Sequence, residues 1–217
     1  MESELARIPL FSDLQKTEIK AIADGAVIRS YLKNTIIIHE GDMSDSLYII
    51  LSGKVRVFVS DDNGREVILA VQGPGEYFGE MALVDEMPRS ASVITTAQSK
   101  FCILSKALFE SCLTNNPAIA LKLLRTQTHR VRRLTINVKS LALLDVYGRV
   151  ARTLINMATQ YDDRMVIEHK LTHQDIAKMV GASREMVSRI MKDLSTGGYI
   201  RCEGQHITIN ERLPAGW

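Results

Sequence analysis

No glycine occurs between Gly79 and Gly148, whereas six of the chain's 13 glycines fall between Gly41 and Gly79. Glycine supplies the tight turns that short strands need and weakens helices, so this distribution predicts turn-rich β structure followed by long helix. Charge divides in the same way. Residues 1–112 carry 11 basic and 16 acidic side chains, and residues 113–217 carry 16 basic and 9 acidic ones. The near-neutral total of +2 is therefore a cancellation between an acidic half and a basic half. The chain is otherwise ordinary for a globular protein, 46% hydrophobic and 24% charged, and its 217 residues suffice for one or two domains with a real core. The longest apolar runs, 47–51 and 67–71, are too short to cross a bilayer. The first residues show no basic region leading into an apolar stretch, so no secretory signal is expected. Three cysteines fit a reducing cytoplasm better than a disulfide framework.

The acidic half reads as short strands. Val55-Arg56-Val57-Phe58-Val59 is followed by Asp61-Asp62-Asn63-Gly64, and Asn-Gly between β-rich runs predicts a hairpin returning through 66–71. Further β-rich runs at 35–38, 47–51, 91–96 and 101–104 point to a β-sandwich or jelly roll. Asn116-Pro117 then offers a cap and a first-turn proline for a helix that meets no Gly or Pro until about Leu144. Leu124, Gln127, Val131, Leu134, Val138 and Leu141 recur along it at steps of three and four, a stripe suited to a two-helix seam. Packing of that stripe on the helix's own domain is the competing reading. Gln127, its polar member, could set register. Beyond it, Thr172 with Asp175 forms a capping signal, Gly181 breaks the helix, and Ser183 can cap a second one from Arg184 to about Ser195. Two short helices joined by a glycine turn, followed by a small hairpin around Glu203-Gly204-Gln205, read as a winged helix-turn-helix.

Two runs carry a family likeness. FGEMALVDEMPRSASV over residues 78–93 resembles the phosphate-binding cassette of cyclic-nucleotide-binding domains. LTHQDIAKMVGASREMVSRIMKDL over residues 171–194 resembles the helix-turn-helix of the catabolite activator/FNR superfamily, and LLDVYGRVARTL over 143–154 its hinge and first DNA-domain helix. The resemblance spans nearly the whole chain in the right order. It implies an α+β protein: a cyclic-nucleotide-binding β-jelly roll over 1–115, a dimerisation helix over 116–144 and a winged helix-turn-helix over 145–217. The implied protein is a cytoplasmic, homodimeric bacterial transcription regulator. It would bind double-stranded DNA at a near-palindromic operator with TGTGA-like half-sites and would contact RNA polymerase. Its implied effector is a cyclic nucleotide, cAMP first, with cGMP, a cyclic dinucleotide or effector-independent binding as alternatives.

The cassette chemistry can be followed residue by residue. Arg89 can hold a cyclic phosphate in charge-assisted fashion and Ser90 can add a hydroxyl. A short helix including Met81 and Ala82 would turn backbone N–H groups toward the anion, and Gly79 would allow close approach. By resemblance, Glu80 accepts from the ribose 2′-hydroxyl. Taken singly, Arg89 and Glu80 could instead be a surface ion pair. The Thr-Ser pair that reads adenine in cAMP-responsive members falls on Leu134 and Thr135, so one hydroxyl has become apolar and the nucleotide's identity stays open. Val57 and Leu69 match apolar pocket positions and would serve equally as strand core.

In the basic half, Ser183, Arg184, Glu185, Ser188 and Arg189 stand on the expected recognition helix. There arginine can pair with guanine O6 and N7, and glutamate can accept from cytosine N4. A merely solvated helix face is the alternative from spacing alone. Thr172, His173 and Gln174 would lie at the phosphate backbone. His39, His129, His169, His173 and His206 show no metal-ligand spacing, and no cysteine precedes Cys102, so neither a metal nor haem is expected. No catalytic constellation is visible, and an enzyme is not expected. A nucleotide-responsive protein-interaction module remains as a reading from a different class.

Overall fold

The computed structural model describes every residue except Met1, Ser44, Asp162, Asp163, His169, Lys170, Gln205, Glu211, Arg212 and residues 214–217. His169, one of the five histidines, and Gln205, at the turn of the expected wing hairpin, thus lie outside the described residues. The chain forms two compact units, residues 1–130 and 131–217.

The first unit opens with α1 (Glu2–Leu5), a 3-10 turn (Pro9–Phe11) and α2 (Lys16–Gly25). Eight strands follow: β1 (Val27–Tyr31), β2 (Ile36–Ile38), β3 (Ser46–Ser52), β4 (Val55–Ser60), β5 (Glu66–Gln72), β6 (Tyr77–Phe78), β7 (Ser92–Thr95) and β8 (Ser99–Ser105). Their pairing is antiparallel throughout and yields two four-stranded sheets, ordered β1-β8-β3-β6 and β2-β7-β4-β5. Between β6 and β7 lies the four-residue α3 (Met81–Val84), and after β8 come α4 (Lys106–Asn115) and α5 (Pro117–Leu143).

Side-chain alternation shows why β3 sits at the centre. Leu47 and Ile49 pack into the core shared with α1, α2, α4 and the start of α5, whereas Tyr48 and Ile50 pack against Phe78 and Phe101 between the sheets. A strand buried on both faces needs no polar side. The Tyr48 and Phe78 rings stack at 5.1 Å, with Phe101 edge-on to both. At the hairpin, the Asp61 carboxylate accepts from the Asn63 and Arg65 N–H groups at 3.0 and 2.8 Å, and Gly64 takes the left-handed φ of +73°. Val57 faces Ala70 while Phe58 faces Ile68, so Leu69 is the extra residue of a β-bulge.

The second unit contains the last turns of α5, then α6 (Val146–Met157), α7 (His173–Val180) and α8 (Arg184–Thr196). Its sheet is ordered β11-β12-β10-β9, from β9 (Thr159–Tyr161), β10 (Arg164–Ile167), β11 (Ile200–Glu203) and β12 (His206–Ile209). Val150, Leu154, Ile167, Ile176, Val187 and Leu194 are all fully buried and tie the three helices to the sheet. Removing a Leu154-sized side chain from such a site typically costs about 2–5 kcal/mol.

The six expected strands of the first unit all form, within a residue or two of their expected ends. The N-terminal helices, α4, β1, β6 and the β9–β10 pair go beyond what the sequence patterns predict. Burial pushes the Cys102 thiol up to about 11 and raises that of Cys112 as well, consistent with unreactive core positions. No described helix is long and apolar enough to cross a membrane.

Candidate effector pocket and nucleic-acid interface

The cassette in the first unit is held together by Arg89. This guanidinium is only 4% exposed and donates to the carbonyl oxygens of Gly79 and, at 2.7 Å, Ser46. Burial pulls its pKa below the usual guanidinium value, and Tyr48, Glu80 and Asp45 oppose that pull. Its neighbour Gly79 has a φ of +86°, and a Cβ there would lie 2.5 Å from an Arg89 terminal nitrogen. Glycine is required at this position for both conformation and space.

Glu80, also 4% exposed, is anchored from α5. Gln127 donates to its Oε1 at 2.6 Å and Arg130 donates to the same oxygen. Arg130 further donates to the Tyr77 carbonyl at 2.7 Å and lies 5.0 Å over the Tyr77 ring. The second carboxylate oxygen, Oε2, is buried and has no hydrogen-bond partner among the described residues. A buried, unpaired carboxylate oxygen is costly unless something else supplies its proton donor. With both side chains buried, the reading of Arg89 and Glu80 as a surface ion pair fails.

Two of these residues have positions that sequence patterns do not reveal. Nothing in the sequence singles out Arg130, because an arginine on a helix carrying many exposed basic residues gives no periodic signal. The three-four spacing assigns Gln127 to the seam, but its amide points to Glu80. Ser90 is exposed, with its hydroxyl 3.7 Å from the Met81 sulfur; Ala82 is buried. Val57 packs against the cluster around Phe78, and Leu69 is half-buried in its bulge. In the second unit, the Thr135 hydroxyl donates to the Val131 carbonyl one turn back, and Leu134 is 46% exposed. Leu124, Val131, Val138 and Leu141 are all more than half exposed, an apolar stripe left uncovered in the single chain.

The helix-turn-helix forms as its signals predict. Thr172 caps α7 by accepting from the Asp175 N–H at 3.1 Å, within a reciprocal capping box. Gly181 ends α7 in the left-handed conformation at φ +64°, and Ser183 caps α8 by accepting from the Met186 N–H at 3.2 Å. Val187, Ile190, Met191 and Leu194 bury one face of α8. The opposite face exposes Arg184, Glu185, Ser188, Arg189 and Lys192 around one shallow depression. None of its three cations has an ion-pair partner among the described residues. The Thr172 hydroxyl is committed to its cap, so that residue's first role is to fix the start of α7.

Comparison with known proteins places both parts of the chain in known domain families. Residues 28–116 match the cyclic nucleotide-binding domain and residues 148–212 the Crp-like helix-turn-helix domain. The chain is 34% identical over 215 residues to the CRP-like cAMP-activated global transcriptional regulator of Mycobacterium tuberculosis (strain ATCC 25618 / H37Rv), covering 97% of this chain and 96% of that one. It is 36% identical over 190 residues to the cAMP-activated global transcriptional regulator Vfr of Pseudomonas aeruginosa, covering 83% and 88% of the two. Among solved structures, the c-di-GMP-responsive global regulator CLP of Xanthomonas campestris superposes with a TM-score of 0.76 at 26% identity, over 91% of this chain and all of that one. A cyclic-nucleotide-binding β-domain and a Crp-like DNA-binding domain on one chain, with full-length relatives of this kind, identify a transcription regulator and not an enzyme: the chain belongs to the CRP/FNR family.

Proposed function

We propose that this regulator is a homodimer switched by a cyclic nucleotide, cAMP in the first instance, between states that differ in affinity for a near-palindromic operator. The observation that carries the effector reading is Glu80: one carboxylate oxygen takes both donors from α5 and the other is buried without a partner among the described residues, beside a buried arginine. A ribose 2′-hydroxyl would satisfy Oε2 while the cyclic phosphate meets Arg89, Ser90 and the N–H groups around Met81 and Ala82. The cAMP-activated relatives support adenine. Leu134 in place of a hydroxyl residue leaves Thr135 to read the base, from its own subunit or the partner's. Calorimetric titration of cAMP, cGMP and c-di-GMP tests this reading, with submillimolar binding of cAMP expected; heat from none of them would sink it.

Dimerisation is assigned to the exposed stripe Leu124, Val131, Leu134, Val138 and Leu141, with Gln127 removed from it. Placing aspartate at Val138 is expected to convert the dimer to monomer in sedimentation at micromolar concentration. A Val138→Asp protein that stays dimeric would place the interface elsewhere. Functional divisions at 1–115, 116–144 and 145–217 follow from this assignment. Nucleotide can shift the dimer only by binding its DNA-competent state more tightly.

For DNA, Arg184, Glu185 and Arg189 are the candidate base readers on a TGTGA-like half-site, with Ser183 and Ser188 beside them and His173 and Gln174 toward phosphate. Two-fold symmetry sets the half-sites about 34–36 Å apart. The Arg184→Ala variant is expected to lose about 1–3 kcal/mol on the specific site and much less on random DNA. Equal losses on both would identify a phosphate contact. Action in the cytoplasm, on a promoter bound by RNA polymerase, completes the proposal.

A further inference from the structure

A cavity of about 390 Å³ opens on the first unit, flanking the effector pocket. Pro9, Leu10 and Tyr77 supply its apolar surface, while Lys122, Arg125 and Arg130 bring three cations from successive turns of α5. Their circumstances differ. Lys122 is tied to the N-terminal segment, donating to the Pro9 carbonyl and the Ser12 hydroxyl and pairing with Asp13 at 2.9 Å. Arg130 is three-quarters buried and holds Glu80. Arg125 has neither a hydrogen bond nor an ion pair among the described residues. The acidic residue on the rim, Glu76, already accepts from the Gly73 N–H at 2.8 Å.

We propose that this cavity is a second effector site, taking a small ring-bearing organic anion such as an aryl phosphate or aryl carboxylate. The apolar wall would receive the ring and Arg125 would pair with the anion, with Arg130 as the second cation within reach. At 3.6 residues per turn, Lys122 and Arg125 project from a different flank of α5 than Leu124, Val131 and Val138.

Arg130 lines this cavity and also holds Glu80, so the two sites share one side chain. An anion that draws Arg130 toward itself weakens the bond that fixes Glu80. The anion and the cyclic nucleotide would then oppose each other, and by linkage each must weaken the other by the same factor. This coupling rests on the nucleotide reading above; the cavity itself does not.

The test is calorimetric titration of the full chain with phenyl phosphate, first without nucleotide. Saturable binding is expected, weakened at least about tenfold by Arg125→Glu, which removes one charge-assisted contact and turns a like charge toward the anion. It should be unchanged by Arg132→Glu, an exposed arginine of α5 outside the cavity. Benzyl alcohol, a ring without the charge, should bind more weakly. No saturable binding, or equal affinity in the Arg125→Glu protein, overturns the site. In a second titration, saturating phenyl phosphate should raise the cAMP Kd at least about fivefold. An unchanged cAMP Kd alongside Arg125-dependent anion binding overturns the coupling through Arg130. Phenyl phosphate binding in a chain that binds no cyclic nucleotide overturns the nucleotide reading and supports the cavity.

Discussion

Replacing Arg89 by alanine is expected to weaken cAMP binding by about 30- to 5,000-fold, because truncating one partner of a buried charge pair costs about 2–5 kcal/mol. The side chain is 4% exposed, so bulk water can replace little of what the guanidinium offers an incoming phosphate. The same change removes a donor from the Gly79 and Ser46 carbonyls, which predicts a lower melting temperature as well. Arg89→Lys separates the two effects. Lysine keeps the charge but not the planar fork that reaches two carbonyls while facing an anion. Its affinity should fall between those of the parent and Arg89→Ala in calorimetry. Parent-like cAMP affinity in the folded Arg89→Ala protein would dismiss this cassette as the phosphate site.

The second large effect is on stability. Gly53, in the turn from β3 to β4, has a φ of +91°, and an added Cβ would meet the Ser99 hydroxyl and lie 2.5 Å from the Gln98 carbonyl oxygen and the Ser99 Cα. Two of those three atoms belong to backbone and cannot swing away. Gly53→Ala should therefore destabilise by about 2–5 kcal/mol, combining the left-handed penalty with steric strain. Ser99 is itself committed, accepting from the Lys54 N–H at 3.2 Å and donating to the Ala97 carbonyl at 2.9 Å. Gly41 has a φ of +84° with open space around its Cβ position, so Gly41→Ala measures the conformational part alone. Gly73 has open space and no positive φ, and its alanine variant should be nearly neutral. Urea denaturation of the three variants should rank them Gly53, Gly41, Gly73 in decreasing loss. A Gly53→Ala protein no less stable than Gly41→Ala would refute the clash.

Local and distant contacts differ in how plainly the sequence displays them. The hairpin at Asn63-Gly64 and both caps of the helix-turn-helix are legible there, because the residue types that permit them are few and the contacts are local. The short helices α1 and α4 and the two-residue β6 are not, since each is fixed by packing on a distant partner. At the effector pocket, Gly79, Glu80 and Arg89 stand within one continuous run and are recognisable together. Gln127 and Arg130 lie some fifty positions away and face Glu80 because α5 docks on the sandwich through Ile119 and Leu123. Three-four spacing puts Gln127 in the exposed stripe. That position borders both the inward face, with Ile119 and Leu123, and the outward face, with Leu124 and Val131, so periodicity cannot decide between them. Only the carboxylate it meets does so.

The anchoring of Glu80 has an evolutionary consequence. A lineage drifting toward a different ligand would naturally alter the carboxylate assigned to the sugar. Here that carboxylate is also the acceptor for Gln127 and Arg130, so replacing it strands the Gln127 amide and leaves Arg130 with Tyr77 alone at the seat of α5. Single substitutions at Glu80 thus trade ligand choice against helix docking, and a change of effector needs coordinated changes at all three positions. Thr135 spends its hydroxyl on the Val131 carbonyl within α5, and Leu134 belongs to the exposed apolar stripe. On the assignments proposed above, Thr135 can change without disturbing the seat of α5, Leu134 stays tied to the dimer stripe, and Glu80 is held by its two donors.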